Sequence, residues 1–151
     1  MAIASSRPFT LLDSVAKKGQ AVASVLAEVD CVRPRPEIAQ MRAEELAAEH
    51  GAQYAVIVAR AVAPLPALVE LAAPLLVSGG HLIALKGCPD LAERASGAAV
   101  AALVGMRELS WRELRLPRGG EARTICAYVK ASQPTVRLPR RVGLAQHSPL
   151  A

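Results

Sequence analysis

Two cations close two apolar runs in this chain: Val56 to Ala59 is followed by Arg60, and His81 to Leu85 is followed by Lys86. In an open α/β sheet, ligands bind just beyond the carboxyl ends of parallel strands, so Arg60 and Lys86 are expected to face one crevice. A guanidinium placed there can grip a carboxylate or a phosphate through two parallel N–H bonds. An acid, Asp13, ends an earlier apolar segment and is followed by Ser14. Such an acid can accept hydrogen bonds from both hydroxyls of a ribose; alternatively, Asp13 and Ser14 cap the helix that follows. Glu44 and Glu45 open another helical stretch, where the helix dipole favours carboxylates. Near the C-terminus, Arg137, Arg140 and Arg141 stand among prolines and glycine, a composition suited to phosphate contacts or to a solvated tail. Other chemistries lack their residues. His50, His81 and His147 have no metal-ligand spacing, Cys31, Cys88 and Cys126 are too far apart for a Cys-x-x-Cys site, and no Ser-His-Asp or Cys-His motif is present.

These residues need elements to position them. Phe9 to Asp13 reads as a strand feeding a helix that carries Ala16, Val22, Val25 and Leu26, with Ser14 as its N-cap. Pro34 and Pro36 break that pattern, Glu37 to Gln40 reads as a short edge strand, and Ala43 to His50 is again helical. Tyr54 to Ala59 is nearly continuous in apolar residues, as a buried parallel strand requires. Pro66 starts a helix running to about Leu76, Gly79 and Gly80 end it, and His81 to Leu85 is the next strand. Asp90 to Val104 is alanine-rich and helical. Arg107 to Leu116 and Thr124 to Val129, joined through Gly119 and Gly120, form a terminal antiparallel pair. From Ser132 the chain reads as a basic tail or ordered loop. The alternation of strands and helices predicts a doubly wound α/β sheet.

With 151 residues and 52% apolar content the chain can build one real core. Its apolar runs are broken by Pro64, Pro66, Glu70, Pro74 or Gly79, well short of the ~20 residues needed to span a bilayer. Three dispersed cysteines fit no disulfide framework and point to a reducing cytosol, and a net charge of +5 suits a polyanionic partner.

Taken as a set, Phe9 to Ser14 with Lys17 and Lys18 behind it, Arg42-Ala43-Glu44-Glu45, Ala59-Arg60-Ala61, Ala84 to Gly87, and a tail with Pro139-Arg140-Arg141, Gly143 and Pro149-Leu150 resemble a known family. It is the bacterial small-subunit rRNA guanine-N7 methyltransferases, also called glucose-inhibited division protein B (GidB, RsmG). The resemblance implies a Rossmann-like class I methyltransferase sheet in which the last strand inserts antiparallel, S-adenosyl-L-methionine as cofactor, and 16S rRNA of the small ribosomal subunit as partner, with no metal and no membrane. It further implies that Asp13, Ser14, Ala43, Glu44 and Arg60 hold the cofactor, with Ala43 and Glu44 at the adenine, while Lys86, Arg137, Arg140 and Arg141 meet RNA. Guanine N7 carries an in-plane lone pair, so no general base is expected.

The family's glycine-rich loop would lie upstream of Phe9, where this chain has only Met1 to Ala4, read as the end of a helix. The expectation is therefore a methyltransferase domain over residues 1–131, truncated at its N-terminus and lacking the first strand, followed by a basic tail over 132–151. The absent strand would be central, leaving unpaired edges on the Phe9 and Tyr54 strands and a marginal fragment that binds the cofactor poorly. A non-catalytic RNA-binding remnant and a nucleotide-binding fragment for another ligand are the alternatives.

Overall fold

A computed structural model describes residues 7–29, 34–117 and 120–151. Met1 to Ala4, Cys31 and Gly119 therefore lie outside the described residues. The chain divides into two compact units, Met1–Glu45 and Leu46–Ala151.

In the first unit, strand β1 (Thr10–Leu12) pairs parallel with β2 (Glu37–Ala39), Leu11 opposite Ile38. Parallel neighbours need a crossover, and helix α1 (Ala16–Glu28) lies in it. The helix begins later than a Ser14 cap requires: its N-cap position is Val15, whose side chain cannot accept a hydrogen bond. Asp13 instead accepts from the Val15 amide at 2.9 Å, an Asx turn just ahead of the helix. Helix α2 (Ala43–His50) has the bounds expected from sequence, and the Arg42 amide donates back to the Glu45 carboxylate at 2.7 Å, half of a capping box.

The second unit is built on a four-stranded sheet ordered β3-β4-β6-β5, from β3 (Tyr54–Arg60), β4 (Leu76–Lys86), β5 (Met106–Arg115) and β6 (Ala122–Lys130). β3 and β4 are parallel, connected through helix α3 (Leu65–Ala72), while β6 runs antiparallel between β4 and β5. The terminal hairpin with an inserted last strand is thus as expected. Helix α4 (Leu91–Leu103) follows β4, and Asp90 caps it by accepting from the Glu93 amide at 2.7 Å. The core lies where α3 and α4 cover β4 and β6, around Leu65, Val69, Leu82, Val100 and Tyr128.

Three sequence expectations change. Helix α3 stops at Ala72 rather than Leu76, and β4 already begins at Leu76. Gly79 and Gly80 do not end a helix; they sit inside β4 at a bulge, between the Tyr54↔Leu76 and Val56↔His81 pairs. Gly79 takes φ +78°, and a Cβ on Gly80 would stand 2.9 Å from the Val77 carbonyl oxygen and 3.0 Å from that of Tyr54. Nor is β3 a buried strand. Among the described residues it pairs only with β4; Ile57 and Ala59 meet the core, but Val56 and Val58 are 51% and 37% exposed, so its outer edge and one face are uncovered.

Residues 132–151 form an ordered strap. Val136, Leu138 and Leu150 pack against the core, and the Thr135 amide donates to the Leu103 carbonyl at 2.8 Å. Helix α5 (Leu144–His147) lies against α3.

Two ionisable groups on β6, Cys126 and Tyr128, are fully buried, and burial pushes the Cys126 thiol up to about 11 and the Tyr128 phenol above its ordinary 10.0. The folded chain therefore holds protons that the unfolded chain releases. Stability is complete below pH 9.0, the ordinary thiol value, and falls as pH rises through the folded values, by about 3 kcal/mol for Cys126 alone. Lys130, whose pKa is lowered by burial, acts in the opposite sense. Among the described residues the buried Tyr128 hydroxyl has no hydrogen-bond partner. Tyr128→Phe is thus expected to be neutral or stabilising by about 1 kcal/mol at pH 7, and to flatten the decline above pH 10. Urea melts at pH 7, 9 and 10.5 check both; a steeper alkaline loss in the Phe variant would refute the assignment.

Candidate functional site

In the first unit, β1 delivers Asp13 to the start of α1. Its amide donates to the Ala39 carbonyl at 3.2 Å, which ties it to the end of β2. Both carboxylate oxygens have local donors, the Val15 amide at 2.9 Å and the Lys18 ammonium at 3.0 Å. The Val15 amide first, and Lys18 next, hold the Asp13 carboxyl below its ordinary value, so it is an anion at neutral pH. The side chain remains 38% exposed, and each oxygen keeps a lone pair for a further donor. Ser14 is exposed beside it. Ala43 and Glu44 open α2; Glu44 is 8% exposed.

In the second unit, Arg60 and Lys86 stand at the carboxyl ends of the parallel pair, since Arg60 is in register with Leu85. The two behave differently. Arg60 is exposed, and no ion pair or hydrogen bond engages it among the described residues. The next residue, Ala61, has φ +54°, a left-handed conformation that costs a non-glycine residue about 1 kcal/mol or more. The strained turn thus lies at the edge where this sheet class binds ligands.

Lys86 faces inward. Its ammonium lies 2.8 Å from the Glu93 carboxylate and donates to the Ala63 carbonyl at 3.1 Å. The same Glu93 oxygen accepts from the Leu65 amide, at the start of α3, at 2.7 Å. One carboxylate from α4 and one ammonium from β4 therefore clamp residues 63–65 of the turn that follows Arg60. Lys86 positions that turn, and its ammonium is engaged where an RNA contact was expected.

The tail cations divide in the same way. Arg137 and Arg141 are exposed. Arg140 instead forms a two-pronged pair with Glu70 of α3, Nε at 2.6 Å and Nη2 at 2.7 Å, and also donates to the Ser148 carbonyl at 2.8 Å. Its guanidinium fastens the strap to the core.

Sequence reasoning missed Glu70, Glu93 and Lys130. A signal existed for two of them. Glu70 is the lone charge in an otherwise apolar helix, a place where acids survive only when paired. Asp90 and Glu93 have capping-box spacing, although Glu93 reaches across to β4 and α3 instead of back to its own helix. No group of three or more metal-ligating side chains occurs among the described residues, and no helix among them is long and apolar enough to cross a membrane.

Comparison with known proteins places this geometry. Among solved structures, a SAM-dependent methyltransferase from Methanosarcina mazei matches with TM-score 0.67 at 10% identity, over 85% of this chain and 84% of that one. The antibiotic-resistance methyltransferase Kmr matches with TM-score 0.60 at 16% identity, over 84% and 76%. These likenesses show a Rossmann-like methyltransferase fold. In sequence, the ribosomal RNA small subunit methyltransferase G of Deinococcus radiodurans is 38% identical over 93% of this chain and 56% of its own length. That of Symbiobacterium thermophilum is 37% identical over 93% and 59%. The chain thus spans a little over half the length of these relatives. A model of the family described as rRNA small subunit methyltransferase G matches residues 1–121, and the chain belongs to that family.

Proposed function

We propose that the chain serves S-adenosyl-L-methionine-dependent methylation of a guanine N7 in 16S rRNA, in the cytoplasm. The observation that carries this reading is Arg60: a guanidinium unpaired among the described residues, at the carboxyl edge of a parallel pair, beside a strained Ala61, in a member of this family.

Each unit carries groups whose chemistry suits part of the cofactor. Asp13 is an exposed anion with lone pairs free for ribose hydroxyls, and Ala43 and Glu44 offer a backbone and a rim at a helix start for adenine. Ser14, exposed beside Asp13, adds a hydroxyl, and Arg60 can grip the cofactor's carboxylate with a planar fork. When bound, the cofactor supplies an electrophilic methyl group on a sulfonium. Guanine N7 presents a lone pair and has no proton to lose, so this chain's residues need only bind and orient. Arg137 and Arg141, exposed on the strap, are proposed to meet RNA phosphates, while Lys86 and Arg140 hold the surfaces that carry those contacts.

The test is methyl transfer to small-subunit RNA, read by mass as N7-methylguanine. Arg60→Ala is expected to lower the rate by ~10- to 100-fold, the loss of one or two charge-assisted hydrogen bonds, with melting unchanged. Arg60→Lys restores only part, because an ammonium cannot reproduce the fork. Full activity in the alanine variant would remove Arg60 from the site. Tight RNA binding with no methyl transfer by the parent chain would favour a non-catalytic RNA-binding role.

A further inference from the structure

A concavity lies at the other end of β4 from Arg60. It holds about 420 Å³ and is lined by the end of α2, the start of β4, the last residue of β6 and the strap. Leu76 and Ser78 open β4 here, whereas Lys86 closes it at the Arg60 edge. Along β3, whose Tyr54 and Arg60 stand opposite Leu76 and Leu85, these ends are about 20 Å apart at ~3.3 Å per strand residue.

The charged residue in its wall is Lys130, which is 8% exposed. Its ammonium makes a single hydrogen bond, to the Val104 carbonyl at 2.7 Å, and no carboxylate pairs with it among the described residues. A lysine this buried is rarely left without an anion, because desolvating the charge is costly. Two of its three N–H bonds remain for another acceptor. The rest of the polar lining is neutral: Ser78, Ser132 and Gln133, all exposed residues. Alanine, leucine, proline and glycine residues, Ala47, Ala73, Leu76 and Leu138 among them, make up the rest of the wall, which contains no Asp or Glu among the described residues.

We propose that this concavity is an oxyanion site that receives a phosphate group, with Lys130 as the buried charge and Ser78, Ser132 and Gln133 as neutral donors at the rim. A phosphate offers acceptors to every one of these groups and adds a full negative charge to the partial one that the carbonyl end of α4 presents at Val104. Burial holds the Lys130 pKa below its ordinary value, a cost that a bound anion offsets. The hairpin and strap fix the geometry, because the amides of Ala131 and Ser132 both donate to the Gly105 carbonyl, at 2.9 and 3.0 Å.

Phosphate reaches such a site either as the free ion or as a backbone diester of RNA, and two probes distinguish the sources. Inorganic phosphate and a dinucleoside monophosphate are titrated separately into the 151-residue chain, with binding followed by calorimetry and by the Lys130 side-chain NMR signal. Saturable binding of either probe is expected, and the tighter probe identifies the source. Lys130→Met, which keeps the stem and removes the charge, is expected to weaken binding by at least about tenfold. Gln133→Glu places a repelling carboxylate at the exposed rim without touching the buried lysine. It is expected to weaken binding similarly with melting unchanged, and it decides the matter if the Met variant fails to fold. Absence of saturable binding by both probes, or equal affinity in the parent and Gln133→Glu, overturns the proposal.

Discussion

Arg140→Ala is expected to lower unfolding free energy by about 3 to 5 kcal/mol, the usual cost of stripping a buried ion of its partner. The ion left behind is Glu70, 3% exposed in a helix that is otherwise apolar. Its two oxygens accept from Arg140 at 2.6 and 2.7 Å, and no water can replace that fork without opening the contact between α3 and the strap. The same substitution frees the Ser148 carbonyl, which loosens the end of the strap where Leu150 packs on the core. Urea unfolding measures the loss. A paired replacement, Glu70→Met with Arg140→Met, separates the pair's own worth from the penalty of an orphaned charge. The double variant should recover most of the stability, since two apolar side chains of similar volume remove both desolvation costs. A loss below ~1 kcal/mol in Arg140→Ala would mean that solvent already reaches Glu70.

Gly105→Ala is expected to cost about 3 kcal/mol or more, from two separable causes. Gly105 takes φ +73°, and an L-residue there costs ~1 to 2 kcal/mol. Its added Cβ would also collide with the Ser132 carbonyl oxygen and stand 2.8 Å from the carbonyl carbon. Both groups are backbone, held by the hydrogen bonds that Ala131 and Ser132 donate to Gly105, so neither yields easily; overpacking of this kind adds ~1 to 3 kcal/mol. Gly51 supplies the comparison. It has φ +62°, but nothing lies within 4 Å of where a Cβ would stand, so Gly51→Ala should show the conformational cost alone. Equal losses in the two variants, measured by the same denaturant titration, would refute a close approach between Gly105 and Ser132.

Local pattern made several elements readable. Ala43–His50 has a helix-favouring composition with acids in its first turn, and Asp90 precedes Leu91–Leu103 as a capping residue should. The terminal hairpin was readable because two β-rich runs flank a glycine turn. Residues that act across the fold were less accessible. Lys86 and Arg60 look alike in sequence, each a cation closing an apolar strand, yet one is clamped by Glu93 and the other is open. The difference rests on which helix passes over each strand end, and no window of sequence contains that fact.

The α/β alternation, the family, and the placement of Arg60 at a strand end follow from the order of residues alone, because each depends on residue types within a turn or a strand of one another. Which charges are available was settled in three dimensions. Glu70 and Arg140 are 70 residues apart, and Lys130 reaches the Val104 carbonyl 26 residues away. Such pairings exist only after the chain has closed long loops and expelled water from between them, and it is that desolvation which turns ordinary cations into a fastener, a clamp or a buried charge awaiting an anion.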